Sequence, residues 1–106
     1  MNLVIAQTPE PPYYAVIFTS VRTAGDHGYS VMADTMFDLA AAQPGFLGVE
    51  SAREELGISV SYWSDLESIR RWKANLEHQE ARRLGRDIWY SAYRVRVAKV
   101  ERDYGM

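Results

Sequence analysis

From Tyr13 to Val21 the chain reads Tyr, Tyr, Ala, Val, Ile, Phe, Thr, Ser, Val, with almost no polar break. β-Branched and aromatic residues at this density predict a strand. Alternation puts Tyr13, Ala15, Ile17 and Thr19 on one face and Tyr14, Val16 and Phe18 on the other. Both sets are apolar, so both faces of the strand expect cover. The period then changes. Tyr29, Met32, Ala33, Met36, Leu39 and Ala40 recur at steps of three and four, which predicts a helix from roughly Tyr29 to Ala42 with one inward stripe. Gly25-Asp26-His27-Gly28 leads into it, and Gln43-Pro44-Gly45 ends it.

The strand pattern returns in Phe46–Glu54 and Ile58–Trp63, joined as a hairpin through Glu55-Leu56-Gly57. In the second of these, Ile58, Val60 and Tyr62 share one face, and Ser59, Ser61 and Trp63 the other. Ser64-Asp65-Leu66-Glu67 has the form of a capping box, with Ser64 as cap and Glu67 reaching back. It predicts a helix from about Asp65 with Leu66, Ile69, Trp72 and Leu76 inward. Asn75 reads as an interruption that caps a second short helix, Leu76 to Leu84, closed by Gly85. Asp87 to Val100 reads as a long last strand, in which Trp89, Ser91, Tyr93, Val95 and Val97 alternate with Tyr90, Ala92, Arg94 and Arg96.

Pro9, Pro11 and Pro12 make residues 1–12 an arm, with Leu3 to Ala6 either a short edge strand or a tail. The domain is then 13–106. Its order, β-α-β-β-α-β, predicts an α+β, ferredoxin-like fold with both helices on one face of a four-stranded sheet. The other face carries enough apolar side chains to expect a second copy of the chain, hence a homodimer. Arg94 and Arg96 lie on one face of the last strand and expect acidic partners, Glu50 or Glu54 across the dimer.

The chain has 106 residues, enough for one domain. A net charge of −2 and a pI near 5.6 argue against nucleic acid as a partner. The absence of cysteine excludes disulfides and thiolate chemistry and fits a reducing compartment. Leu3 to Ala6 is too short an apolar run for a signal-peptide core, and no stretch approaches a membrane span. The expectation is a cytoplasmic protein with no membrane partner. No carboxylate or histidine cluster has metal-ligand spacing, and no phosphate-binding glycine motif is present, so no metal is expected.

Several segments together resemble the antibiotic biosynthesis monooxygenase domain family. They are Pro44-Gly45-Phe46-Leu47-Gly48-Val49-Glu50, then Tyr62-Trp63-Ser64, then Glu67, Trp72, Lys73 and His78, and last Val95, Val97, Ala98 and Val100. The likeness spans roughly residues 13–104. It implies a dimeric α/β barrel. It also implies oxygenation of flat, electron-rich aromatic compounds, phenols or quinone-like molecules, with neither metal nor flavin as cofactor. The family also holds haem-degrading enzymes and many members without an established activity. The haem-degrading branch resembles this chain at Trp72 only. Ten residues further on stands Arg82 rather than His, and the first strand has no Asn.

His78 is the candidate base, since an imidazole titrates near neutral pH and can take a phenolic proton; the plain alternative is packing at a helix start. Trp72 and Trp63 are candidate stacking surfaces for an aromatic substrate, or else core residues. Tyr62 and Arg82 are candidate polar anchors, against a satisfied core hydroxyl and a solvated charge run respectively. Trp89 reads as interface or core packing, and His27 as a loop residue able to act in a lid. The competing reading of the whole is a protein that binds haem or another hydrophobic small molecule without turnover.

Overall fold

The structure, a computed structural model, describes residues 4–78 and 88–106, with side chains throughout except those of Glu77 and His78. Its elements are β1 (Tyr13–Arg22), α1 (Tyr29–Ala41), β2 (Phe46–Arg53), β3 (Gly57–Trp63), α2 (Leu66–His78) and β4 (Tyr90–Val100). The strands form one sheet in the order β2-β3-β1-β4, every neighbouring pair antiparallel. This is the expected ferredoxin-like arrangement.

Register sorts the side chains into two faces, because directly opposed residues point the same way. Tyr14 opposes Trp63, Val16 opposes Ser61 and Phe18 opposes Ser59. Trp72 of α2 stacks on Trp63, so this is the helix side. From β4 it receives Tyr93, Val95, Val97 and Lys99. The helix-free side holds Ala15, Ile17, Thr19 and Val21, with Tyr62, Val60 and Ile58 from β3 and Ala98, Arg96, Arg94 and Ala92 from β4. A register shift leaves Ser91 as the extra residue, with Ala92 opposite Val21 and Tyr90 opposite Arg22. Such a bulge re-aims the next side chain. Tyr90 therefore shares the helix side with Tyr93, against the simple alternation that the sequence predicts. β4 also begins at Tyr90, not at Asp87. Trp89 lies before the strand and packs in the core, 6 % exposed, its indole N–H donating to the His27 carbonyl at 2.9 Å.

In α1 the six residues of the predicted stripe are half-buried, whereas Val31 and Phe37 between them face solvent. No residue of α1 is fully buried. The helix starts through the Asp26 carboxylate, which accepts from the Gly28 and Ser30 amides at 3.1 and 3.2 Å. At its far end Gly45 takes a φ of +84°. A Cβ there would fall on the Ser68 and Ser64 side chains. Glycine thus lets the α1–β2 turn close on the β3–α2 turn, where the Ser64 amide donates to the Gly45 carbonyl at 2.8 Å.

α2 departs from its predicted start. Asp65, not Ser64, is the cap: its carboxylate accepts from the Ser68 amide at 2.7 Å, and α2 begins at Leu66. A carboxylate binds the free amides of a first turn more strongly than a hydroxyl does. Glu67 turns to Arg70 instead of reaching back, at 2.6 Å. Leu66 is exposed, while Ile69, Trp72 and Leu76 face inward as expected. The helix runs through Asn75 to His78 without interruption. The remainder of the expected short helix and its closing Gly85 lie outside the described residues.

The arm forms no strand over 4–12. It crosses one end of the helix-free face. The Ala6 amide donates to Glu50 at 3.0 Å, and Ala6 fits against Gly48, where a Cβ would collide with it. Thr8 donates to the Tyr13 hydroxyl at 3.0 Å, and Tyr13 donates in turn to Asp103. Tyr13 and Ala15 are therefore buried although they sit on the side without helices. The rest of that face stays open, with Val21, Ile58 and the hairpin's Leu56 exposed. Among the described residues no helix is long and apolar enough to cross a membrane.

Candidate functional site

The layer between the helices and the sheet is only partly buried among the described residues. Val16, Phe18, Ser59 and Ser61 form the middle of its floor, and all four are only half-buried. Two reasons lie in the sequence. β3 places serines where a packed core would carry larger apolar groups, and α1 buries none of its residues completely.

Aromatic rings close this layer at both ends. At one end Trp63 is wholly enclosed, with Phe46 edge-on at 5.5 Å between ring centres and Trp72 nearly parallel to it, at 6.2 Å and 25°. The Trp63 indole N–H donates to the Ser61 hydroxyl at 2.9 Å. Trp63 is thus a support beneath Trp72, which is itself half-buried.

At the other end Phe18, Tyr90 and Tyr93 meet with centres 5.3 to 6.0 Å apart, and Tyr29 joins them through Tyr90 at 5.8 Å. The Arg22 guanidinium lies 3.6 Å over the Tyr29 ring and donates to the Trp89 and Gly25 carbonyls, each at 3.0 Å. It ties the loop before α1 to the start of β4. Arg53 crosses Gly57 and bonds the Ser20 carbonyl at 3.3 Å and the Ser20 hydroxyl. Burial, and then the hydrogen bond with Tyr29, push the Tyr90 phenol far above its ordinary range, so it stays neutral.

The predicted site residues separate. Trp72 and Trp63 come together on the helix side. Tyr62 projects from the opposite face, where its hydroxyl donates to Glu50 at 2.6 Å. Burial first, and then the Glu50 carboxylate, raise its pKa to about 12. The sheet itself stands between Tyr62 and the two tryptophans. His78 is the last residue of α2, so it shares the helix that carries Trp72; its side chain, and all of Arg82, lie outside the described residues. His27 is exposed in the loop before α1.

The cluster of Phe18, Tyr29, Tyr90 and Tyr93 is absent from the expected site. Its signal was the aromatic density at Trp89, Tyr90 and Tyr93, but the bulge at Ser91 that turns Tyr90 inward has no signature in the sequence. Among the described residues no three His, Asp or Glu side chains are placed to hold a metal ion.

The fold defines the class: a ferredoxin-like α+β protein with the architecture of the antibiotic biosynthesis monooxygenases. SnoaB of Streptomyces nogalater, a cofactor-independent oxygenase, superposes with a TM-score of 0.69 at 16% identity over 88% of this chain and 97% of its own. PA3566 of Pseudomonas aeruginosa gives 0.65 at 16% identity, covering 91% and 99%. A Nitrosomonas europaea protein whose name places it provisionally among these monooxygenases gives 0.68 at 11% identity, covering 92% and 96%. No family model matches the chain. A nearer relation comes from sequence. The chain is 56% identical over 100 residues to the uncharacterized protein YqjZ of Bacillus subtilis strain 168, covering 92% of this chain and 88% of that one, and it belongs to the YqjZ family.

Proposed function

We propose that the protein is a cofactor-independent monooxygenase that works as a homodimer on a flat, electron-rich aromatic molecule held between helices and sheet. The observation that carries this reading is the half-buried strip of Val16, Phe18, Ser59 and Ser61, bordered by Trp72 at one end and by the rings of Phe18, Tyr90 and Tyr93 at the other. A slot walled by rings suits a planar aromatic guest, and its serines offer hydroxyls to the guest's oxygens. The structural likeness to SnoaB, an oxygenase of this fold, supports the assignment.

The chemistry asks little of the protein beyond a base, orientation and the exclusion of water. Removal of a proton from a phenolic or anthrone-type substrate leaves an anion rich enough to pass one electron to dioxygen. The resulting radical and superoxide combine to a carbon-bound peroxide. The peroxide takes back the proton and loses water to leave the quinone, so one oxygen atom enters the product, the other leaves as water, and the substrate supplies all four electrons that dioxygen takes up. In this reading His78 takes the proton, Trp72 stacks on the substrate over its Trp63 support, and Arg82 anchors an oxygen. Tyr62, on the far face, serves the assembly of the protein rather than the slot.

The test is oxygen uptake by the metal-free protein with a panel of anthrone-type phenols. The expected result is one dioxygen consumed per quinone formed, with Trp72→Ala lowering kcat/KM at least tenfold and His78→Ala lowering kcat by roughly 10²-fold or more. Uptake no greater than in buffer across the panel would overturn the reading.

A further inference from the structure

Register also sorts polar from apolar groups on the helix side of the sheet. Read from β2 to β4, one row is Val49, Ser61, Val16 and Val97. The next is Ser51, Ser59, Phe18 and Val95, and the next Arg53, Gly57, Ser20 and Tyr93. This side is thus divided lengthwise. Its β2–β3 half carries hydroxyls and ends in a guanidinium, whereas its β1–β4 half is apolar and aromatic apart from Ser20. The guanidinium is held in place. A Cβ at Gly57 would fall on it, so the bare backbone lets Arg53 lie across to β1. There it donates to the Ser20 carbonyl at 3.3 Å and to the Ser20 hydroxyl, and Ser20 is buried. These bonds orient the group while using only part of its donor fork. Arg53 is half-buried, and Ser51 on the same face of β2 is exposed, so the polar half meets solvent at this edge of the sheet. The Arg53 charge is also felt at the Tyr90 phenol, where it opposes the effect of burial. Charge and rings therefore meet at one end of the site.

We propose that Arg53 selects the molecule taken by the helix-side site, and that this molecule is an aromatic acid whose carboxylate meets the Arg53 guanidinium while its oxygen-bearing edge lies along Ser59 and Ser61. The proposal rests on the helix-side site described under the proposed function and names the class of compound it takes. A carboxylate matches the planar fork of a guanidinium and gains a charge-assisted pair, which a neutral amide of the same shape does not. The Ser61 and Arg53 rows stand about 13 Å apart along the strands, a length that suits fused rings bearing a carboxyl group. Bound this way, the guest leaves its apolar edge to Val16 and Phe18.

The test is calorimetric titration of the full-length chain with an anthraquinone carboxylate and with the matching carboxamide, a measurement that needs no turnover. The carboxylate should bind about tenfold more tightly or better. Arg53→Gln should abolish that preference and leave affinity for the carboxamide within about twofold, and Arg53→Lys, which keeps the charge without the fork, should retain part of it. Should Arg53→Gln fail to fold, Ser51→Glu at its exposed position takes its place. A carboxylate set beside Arg53 should weaken the acid about tenfold and the carboxamide little. Binding of neither ligand, equal affinity for the two in the parent, or an equal loss of both on Arg53→Gln or Ser51→Glu would overturn the proposal. Oxygen uptake separates it from the reading beneath it. A preference for the acid with no uptake from any anthrone-type phenol would leave Arg53 as the selector of a binding site and overturn oxygenation. Uptake with neutral phenols and no preference for the acid would overturn the role of Arg53 and leave oxygenation standing.

Discussion

Asp65 and Ser64 stand side by side, and the carboxylate rather than the hydroxyl holds the start of α2. The Ser68 amide that it accepts lowers the Asp65 pKa below its ordinary value. A depressed carboxylate stabilises the fold above its unfolded-state pKa and loses that contribution as pH falls through the folded one. Asp65→Ala should therefore lower Tm by a few degrees at pH 7, and the gap to the parent should close as pH drops below about 4, in a series of thermal melts. Tyr62 behaves in the opposite sense. Its pKa of about 12, against 10.0 for a free phenol, favours the neutral form in the folded chain. Below pH 10 both states are protonated and the contribution is whole. Between pH 10 and about 12 the unfolded state ionises first, and stability falls. Tyr62→Phe should show a shallower loss over that range in urea unfolding, because it has no proton to give up. Neither behaviour was legible in the residues alone. Ser64-x-x-Glu67 spells a capping box, and only the path of the backbone decides which oxygen reaches the amide.

At the scale of elements the sequence was informative where periodicity was long. The stripe of α1 and the faces of β1 and β3 came out as the alternation requires, since burial against one layer is what sets the period. The breaks were harder to see. A bulge shifts register by one residue without demanding a particular side chain, so plain alternation sends Tyr90 to the face opposite the one it takes. Asn75 has a good cap's chemistry, but inward Trp72 and Leu76 on either side of it keep the helix whole. The arm is a different case: its docking depends on Glu50, forty-four residues on from Ala6. Gly45 is the point where two turns interlock. Alanine there would combine a left-handed backbone with overlap on Ser68, so Gly45→Ala should cost at least ~2 kcal/mol in denaturant unfolding. The same exchange at Gly28, which has open space around it, should cost less.

For the molecule as a whole, the two faces of one sheet divide the work. The helix side carries aromatic clusters at both ends. The other side is partly covered by the chain's own arm, and the remainder is marked by acids along one margin and arginines along the other. The sequence already showed Arg94 and Arg96 in want of carboxylates and named Glu50 among the acids. The register adds that Glu50 and Arg96 share a row, at opposite margins of the sheet. Between these two sides, β4 ends the sheet, its eleven residues paired among the described residues with β1 alone. An open rim of that length is a template on which unfolded or partly made chains can stack without limit, the first step of fibrous growth. Arg94, Arg96 and Lys99 punctuate it, so each strand added in register would bring cation onto cation. On the nascent chain these three cations are gatekeepers that turn such neighbours away.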